Sequence, residues 1–136
     1  MLLNKLYDVS EEIVIITGVN GQLGSSYAKT FLVLGARVVG LDLQEVKQTD
    51  FLKLDYPNDY CFYKADVTNK KSLTHVLENI ELIFGTPTVL INNAAIDSVP
   101  YKKGSRVQKF PTSEMWDMEM NVSLKGSFFF IKFSIR

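Results

Sequence analysis

The stretch Ile13-Val14-Ile15-Ile16-Thr17-Gly18-Val19-Asn20-Gly21-Gln22-Leu23-Gly24 decides the fold. Its first four residues are a β-branched run closed by Thr-Gly, the pattern of a strand buried on both faces. A helix is expected over residues 21–34. Leu23, Ala28, Phe31 and Leu32 can share one of its sides, and Gly35 is a natural C-terminal stop. A strand, a glycine-rich turn and a helix in succession make an anion-binding corner. Glycine permits a tight turn with positive φ, its bare backbone lets a pyrophosphate approach, and the first N–H groups of the helix point at it with the positive end of the dipole. Gly24 also lets helix and strand pack closely. Three spaced glycines alone suit a plain turn equally well; their position between strand and helix favours the phosphate reading.

Working outward, short apolar runs alternate with helical patterns. Residues 37–41 form a second strand closed by Asp42, and 43–58 hold a short helix and a loop ending near Pro57. Residues 60–65 are a third strand. Residues 72–84 are a helix with Leu73, Val76, Leu77, Ile80 and Ile83 or Phe84 on one face, stopped by Gly85-Thr86-Pro87. Residues 88–91 are a fourth strand. A loop with Pro100, Gly104 and Pro111 as breakers follows, then a last helix that starts near Thr112 or Ser113, one of them its cap, and runs to the end. This alternation predicts an α/β fold, a doubly wound parallel sheet with helices on both faces. Ligands of such sheets bind outside the carboxyl ends of the strands, where every motif described below falls.

Bulk properties narrow the function. The chain has 136 residues, enough for one domain with a core. Fifteen basic residues balance fifteen acidic ones, which leaves no electrostatic footprint for nucleic acid or an anionic membrane. No run spans a bilayer, and the first twelve residues lack the apolar core of a signal peptide. Cys61 is the single cysteine, so no intrachain disulfide forms, and the cytoplasm is the expected compartment. No metal site is expected.

Three further motifs follow the glycines. Asp42 stands 18 residues after Gly24, close to the position where a carboxylate bonds a ribose hydroxyl. It would repel a 2′-phosphate, and neither Val19, Asn20 nor Leu43 supplies a cation, which favours NAD over NADP; the alternative is a solvated loop aspartate. Asp66-Val67-Thr68 ends the third strand and either bonds an adenine edge or sits beside a helix N-cap that Thr68 or Asn69 serves. Asn92-Asn93-Ala94-Ala95 follows the fourth strand. Its small residues leave room for a ligand and its asparagines can tie strand ends together, unless it is a plain turn.

In this order and at these separations the four motifs resemble the short-chain dehydrogenase/reductase family, in its shorter-chain branch, over residues 12–136. The resemblance implies a Rossmann-like sheet of strand order 3-2-1-4 and NAD as cofactor. It places Gly18, Asn20, Gly21, Gln22, Leu23 and Gly24 at the pyrophosphate, Asp42 and Leu43 at the ribose, Asp66 and Val67 at the adenine, and Asn93, Ala94 and Ala95 along the cleft. Asn121-Val122-Ser123-Leu124-Lys125-Gly126 resembles the family's last-helix motif, whose asparagine, Asn121, has a catalytic part in holding a water of the proton relay. The sequence departs from the pattern in two places. Gln22 stands where glycine is usual, so that the spacing Gly18, Gly21, Gly24 is nearer the extended branch. Ala95 replaces a glycine and adds a methyl group to the cleft.

The family's chemistry uses a serine after a fifth strand and a Tyr-x-x-x-Lys on the next helix. No such pair follows Asn121; Tyr60 and Lys64 have the spacing but fall on a strand. The expectation is therefore a single, incomplete domain, the N-terminal part of an oxidoreductase that moves hydride between NAD and an alcohol/carbonyl substrate. It would be truncated after about four strands and inactive by itself. A non-catalytic dinucleotide- or partner-binding module is the alternative. The fourth strand would be an edge and the apolar run Phe128-Phe129-Phe130-Ile131 with Phe133 partly exposed, so a homo-oligomer or self-association is expected. His75 reads as a surface residue and Cys61 as a small core residue.

Overall fold

The computed structural model describes residues 7–45, 50–96 and 112–134. Four parallel strands, β1 (Ile13–Thr17), β2 (Arg37–Asp42), β3 (Tyr60–Lys64) and β4 (Val89–Ile91), form one sheet in the order β3-β2-β1-β4. The helices are α1 (Gln22–Val33), α2 (Asp50–Asp55), α3 (Lys70–Ile83), α4 (Ser113–Met120) and α5 (Ser127–Ser134). The expected topology is the one found. The loop breakers Pro100, Gly104 and Pro111, the side chain of Phe133 and the chain end at Arg136 lie outside the described residues.

Strand side chains alternate between faces, and β1 serves two cores. Ile13 and Ile15 point to one face, with Val39, Leu41, Leu73, Val76, Leu77, Ile80 and Phe130. Val14 and Ile16 point to the other, with Val19, Ala28, Leu32, Val38, Leu52 and Tyr60. Helices α3 and α5 thus cover one face and α1 and α2 the other, which is why β1 carries no polar position in its first four residues.

The register brings Ile15 beside Val39 on β2 and Leu90 on β4. Asn69 caps α3 by accepting from the Ser72 N–H at 3.2 Å, so this helix starts two residues before the expected Ser72. At its other end Phe84, not Ile83, packs on the core, and the Arg37 guanidinium donates to the Phe84 carbonyl at 2.7 Å.

One expectation changes. Leu23 does not join the buried side of α1; it is 60% exposed. It lies in the first turn of the helix, beyond the sheet edge that Ala28 and Leu32 cover, and side chains there lean toward the helix N-terminus. The last helix is helical from Ser113 to Ser134 but not α-helical throughout. A π-helical segment, Asn121–Gly126, separates α4 from α5, and Gly126 is buried in it. A Cβ there would meet Val67 Cγ2 at 2.7 Å, so the missing side chain lets this segment approach the end of β3. Beyond it Phe130 is fully buried, while Leu124, Phe128 and Ile131 remain 62%, 58% and 43% exposed.

Candidate functional site

The carboxyl ends of β1, β2, β3 and β4 open onto a cleft of about 580 Å3, within the range of small-molecule and cofactor sites. Its first wall is the turn after β1. Gly18 has φ +67°, a conformation that side chains rarely adopt. Gly24 lies under the turn, where a Cβ would collide with the Gly18 carbonyl oxygen and stand 2.8 Å from Val19 Cα. Both neighbours are backbone and have no rotamer to yield. The turn therefore folds tightly onto α1 only because these positions carry no side chain. No side chain caps α1 at Gly21, and its first turn holds no acidic residue, so the positive end of the helix is presented to the cleft.

The second wall is the end of β2. Asp42 accepts from the Asn20 N–H through Oδ2 at 2.9 Å and from the Leu43 N–H through Oδ1 at 2.8 Å. Each carboxylate oxygen keeps further acceptor capacity, so a fixed pair of acceptors faces the cleft. The Asn20 side chain donates from Nδ2 to the Gln44 carbonyl at 2.5 Å and joins the glycine turn to the segment after β2.

The third wall is the end of β4. Asn93 Nδ2 donates to the carbonyls of Thr17 at 3.0 Å and Gly18 at 3.1 Å. In return Thr17 Oγ1 accepts from the N–H groups of Asn93 and Ala94, each at 3.0 Å. The residues that read as a cleft lining thus also tie strand ends together.

Of the expected cofactor residues, Gly18, Asn20, Gly21, Gln22, Leu23, Asp42, Leu43, Val67, Asn93, Ala94 and Ala95 line the cleft. Gln22 is exposed as the first residue of α1, so a side chain in place of the usual glycine meets no packing there. Gly24 lies beneath the lining. Asp66 is not among the lining residues: its Oδ1 accepts from Thr68 N–H at 2.8 Å and from Thr68 Oγ1 at 2.7 Å, a local turn. Asn121 opens the π-helical segment, and it is the neighbouring Val122 that reaches the cleft. Sequence reasoning missed Leu41, Gln44, Ala65, Ile96 and Val122 as lining residues. For Ala65 and Ile96 a signal existed, since each flanks a motif at a strand end.

Tyr60 is buried against the α1 face, whereas Lys64 is exposed at the far end of β3. Four residues of strand separate them by about 13 Å, so they form no tyrosine–lysine pair. Among the described residues no three His, Cys, Asp or Glu side chains are grouped to hold a metal, and no helix is long and apolar enough to cross a membrane. Burial pushes the Cys61 thiol up to about 12, as expected of a cysteine packed beside a core. His75 is exposed on α3.

The family model described as "short chain dehydrogenase" matches residues 12–136. The chain is 26% identical over 125 residues to the NAD-dependent glycerol dehydrogenase of Listeria innocua, covering 92% of this chain and 46% of that protein. It is 33% identical over 130 residues to the short chain dehydrogenase/reductase dpmpG of Macrophomina phaseolina, covering 90% and 69%. A crystal structure of a short chain dehydrogenase from Leptospira borgpetersenii with bound NAD+ superposes with a TM-score of 0.74 at 28% identity, over 93% of this chain and 46% of that one. The chain thus spans about half the length of most of these relatives. With the glycine turn, the sheet order and a match over residues 12–136 in agreement, the chain belongs to the short-chain dehydrogenase family.

Proposed function

We propose that the cleft binds NAD(H) in preference to NADP(H), and that the protein to which these residues belong transfers hydride between NAD and an alcohol/carbonyl substrate. The observation that carries the cofactor reading is the Asp42 carboxylate, held by two backbone N–H groups at the cleft wall. Its remaining acceptor capacity suits the two hydroxyls of a ribose, while a 2′-phosphate would bring like charge to the same place. Among the described residues no lysine or arginine lines the cleft to compensate. The turn at Gly18 and Gly24 and the uncapped start of α1 fit a pyrophosphate. Val67, Ala65 and Val122 offer apolar surface for the adenine, and Asn93, Ala94 and Ala95 line the opposite side. Asp66 would contribute through its place beside Val67, and Asn121 through a water next to the cleft.

Bound NAD supplies a two-electron acceptor at its nicotinamide ring. The residues named above bind and orient it; the serine, tyrosine and lysine that the family uses on the substrate have no counterpart among these 136. The chain by itself is expected to bind NAD without turnover. Fluorescence titration of NAD and NADP tests the reading. Asp42→Asn should weaken NAD by roughly tenfold to a hundredfold, the worth of a hydrogen bond to a charged group, and should strengthen NADP. Equal affinities for both cofactors in the parent chain would sink it.

We also propose self-association through Leu124, Phe128 and Ile131, three exposed apolar residues at helical spacing on the last helical segments. Light scattering of the chain should give a mass that rises with concentration, and Phe128→Ser should lower it. A constant monomer mass would contradict this.

A further inference from the structure

Asp42 does not orient itself. Its Oδ2 is held by the Asn20 N–H, and its Oδ1 by the N–H of Leu43. Leu43 is in turn flanked by Gln44, whose carbonyl accepts from Asn20 Nδ2. One residue of the glycine turn therefore reaches both oxygens, one directly through its backbone and one through the segment that its side chain clamps. Leu43 and Gln44 are exposed, so apolar packing does not substitute for the clamp.

We infer that Asn20 is a specificity-determining positioning residue, whose side-chain clamp on Gln44 holds the Asp42 carboxylate in the orientation that separates a ribose diol from a ribose 2′-phosphate. This rests on the cofactor reading above and adds to it the device that enforces the selectivity. With the clamp removed, Leu43 and Gln44 move, Oδ1 loses its fixed donor and the carboxylate rotates. A diol then loses one of two aligned acceptors, whereas a phosphate loses part of the charge fixed against it. The two cofactors should respond with opposite signs, or one should respond alone. A residue that merely stabilised the turn would weaken both alike, because both carry the same pyrophosphate.

The test is titration of NAD and NADP against the 136-residue chain and its Asn20→Ala variant, which keeps the backbone N–H and removes the side-chain clamp on Gln44. NAD should bind about three- to tenfold more weakly, the worth of one neutral hydrogen bond, with NADP unchanged or tighter. Asn20→Ser, whose hydroxyl is too short to span the same gap, provides a second variant and should follow the same split. Equal losses for NAD and NADP, or no change in either, would overturn the inference while leaving the cofactor reading intact. Failure of the parent chain to bind NAD would overturn both.

Discussion

Strands β1 and β4 lie side by side and meet the same cleft, yet they are held differently. All five residues of β1 are buried between two neighbouring strands and two helical layers, whereas the three residues of β4 are half-buried and, among the described residues, have one strand neighbour. At the end of β1 the turn is fixed by backbone packed on backbone, at Gly18 and Gly24. At the end of β4 the position depends on side-chain tethers from Thr17 and Asn93. The part of the cleft assigned to pyrophosphate and ribose is thus built into the sheet, and the opposite wall is tied to it by a few hydrogen bonds. Pre-organised sites lose less free energy to ordering on binding, so affinity should come mainly from the β1–β2 side.

The sharpest way to break this comparison is a matched pair of truncations. Ile15 and Leu90 are register partners and face the same core. Ile15→Ala should cost about 4 kcal/mol, since the site is fully enclosed. Leu90→Ala should cost about half that, because part of its surface already meets water. Urea denaturation of both variants gives the two values; equal costs would mean that β4 is as firmly packed as β1.

A smaller effect, about 2 kcal/mol, is expected for Thr17→Val, which keeps the shape of a buried residue but deprives the N–H groups of Asn93 and Ala94 of their acceptor. Amide hydrogen exchange should speed up at Asn93 and Ala94 and stay slow within β1. Uniform acceleration across the sheet would show that the tether is part of the global core and not a local tie.

What the sequence revealed follows the same division. The run 13–16 is β-branched without interruption because both faces of β1 are covered, and that pattern is visible in a single segment. The glycines were legible because backbone contact leaves no other residue type possible at Gly24. Asp42 was singled out by spacing, and it lines the cleft. The rest was not legible where a residue's surroundings come from elsewhere in the chain. Leu23 fits the apolar pattern of α1, but the pattern does not encode that the first turn overhangs the cleft. Residues 121–126 hold several weak helix formers, Asn121, Val122, Ser123 and Gly126, but the sequence does not show the close approach of Gly126 to Val67 that accompanies the π-helical segment. At Asp66-Val67-Thr68 the two readings do not exclude each other: Asn69 caps α3 and Val67 lines the cleft, while Thr68 engages Asp66 Oδ1. Asn93 was read correctly as a tie between strands because its partner, the end of β1, was already located.

The proposed dinucleotide site lies in the cleft at the carboxyl ends of the strands, anchored from the β1–β2 side. An NMR titration of the isotopically labelled chain with NAD tests it most directly. The largest amide shifts are expected at Gly18, Gly21, Gln22, Leu23 and Leu43, smaller ones at Ala94 and Ala95, and none at His75 or Leu82 on the exposed side of α3. An absence of shifts, or shifts centred on α3, would contradict it.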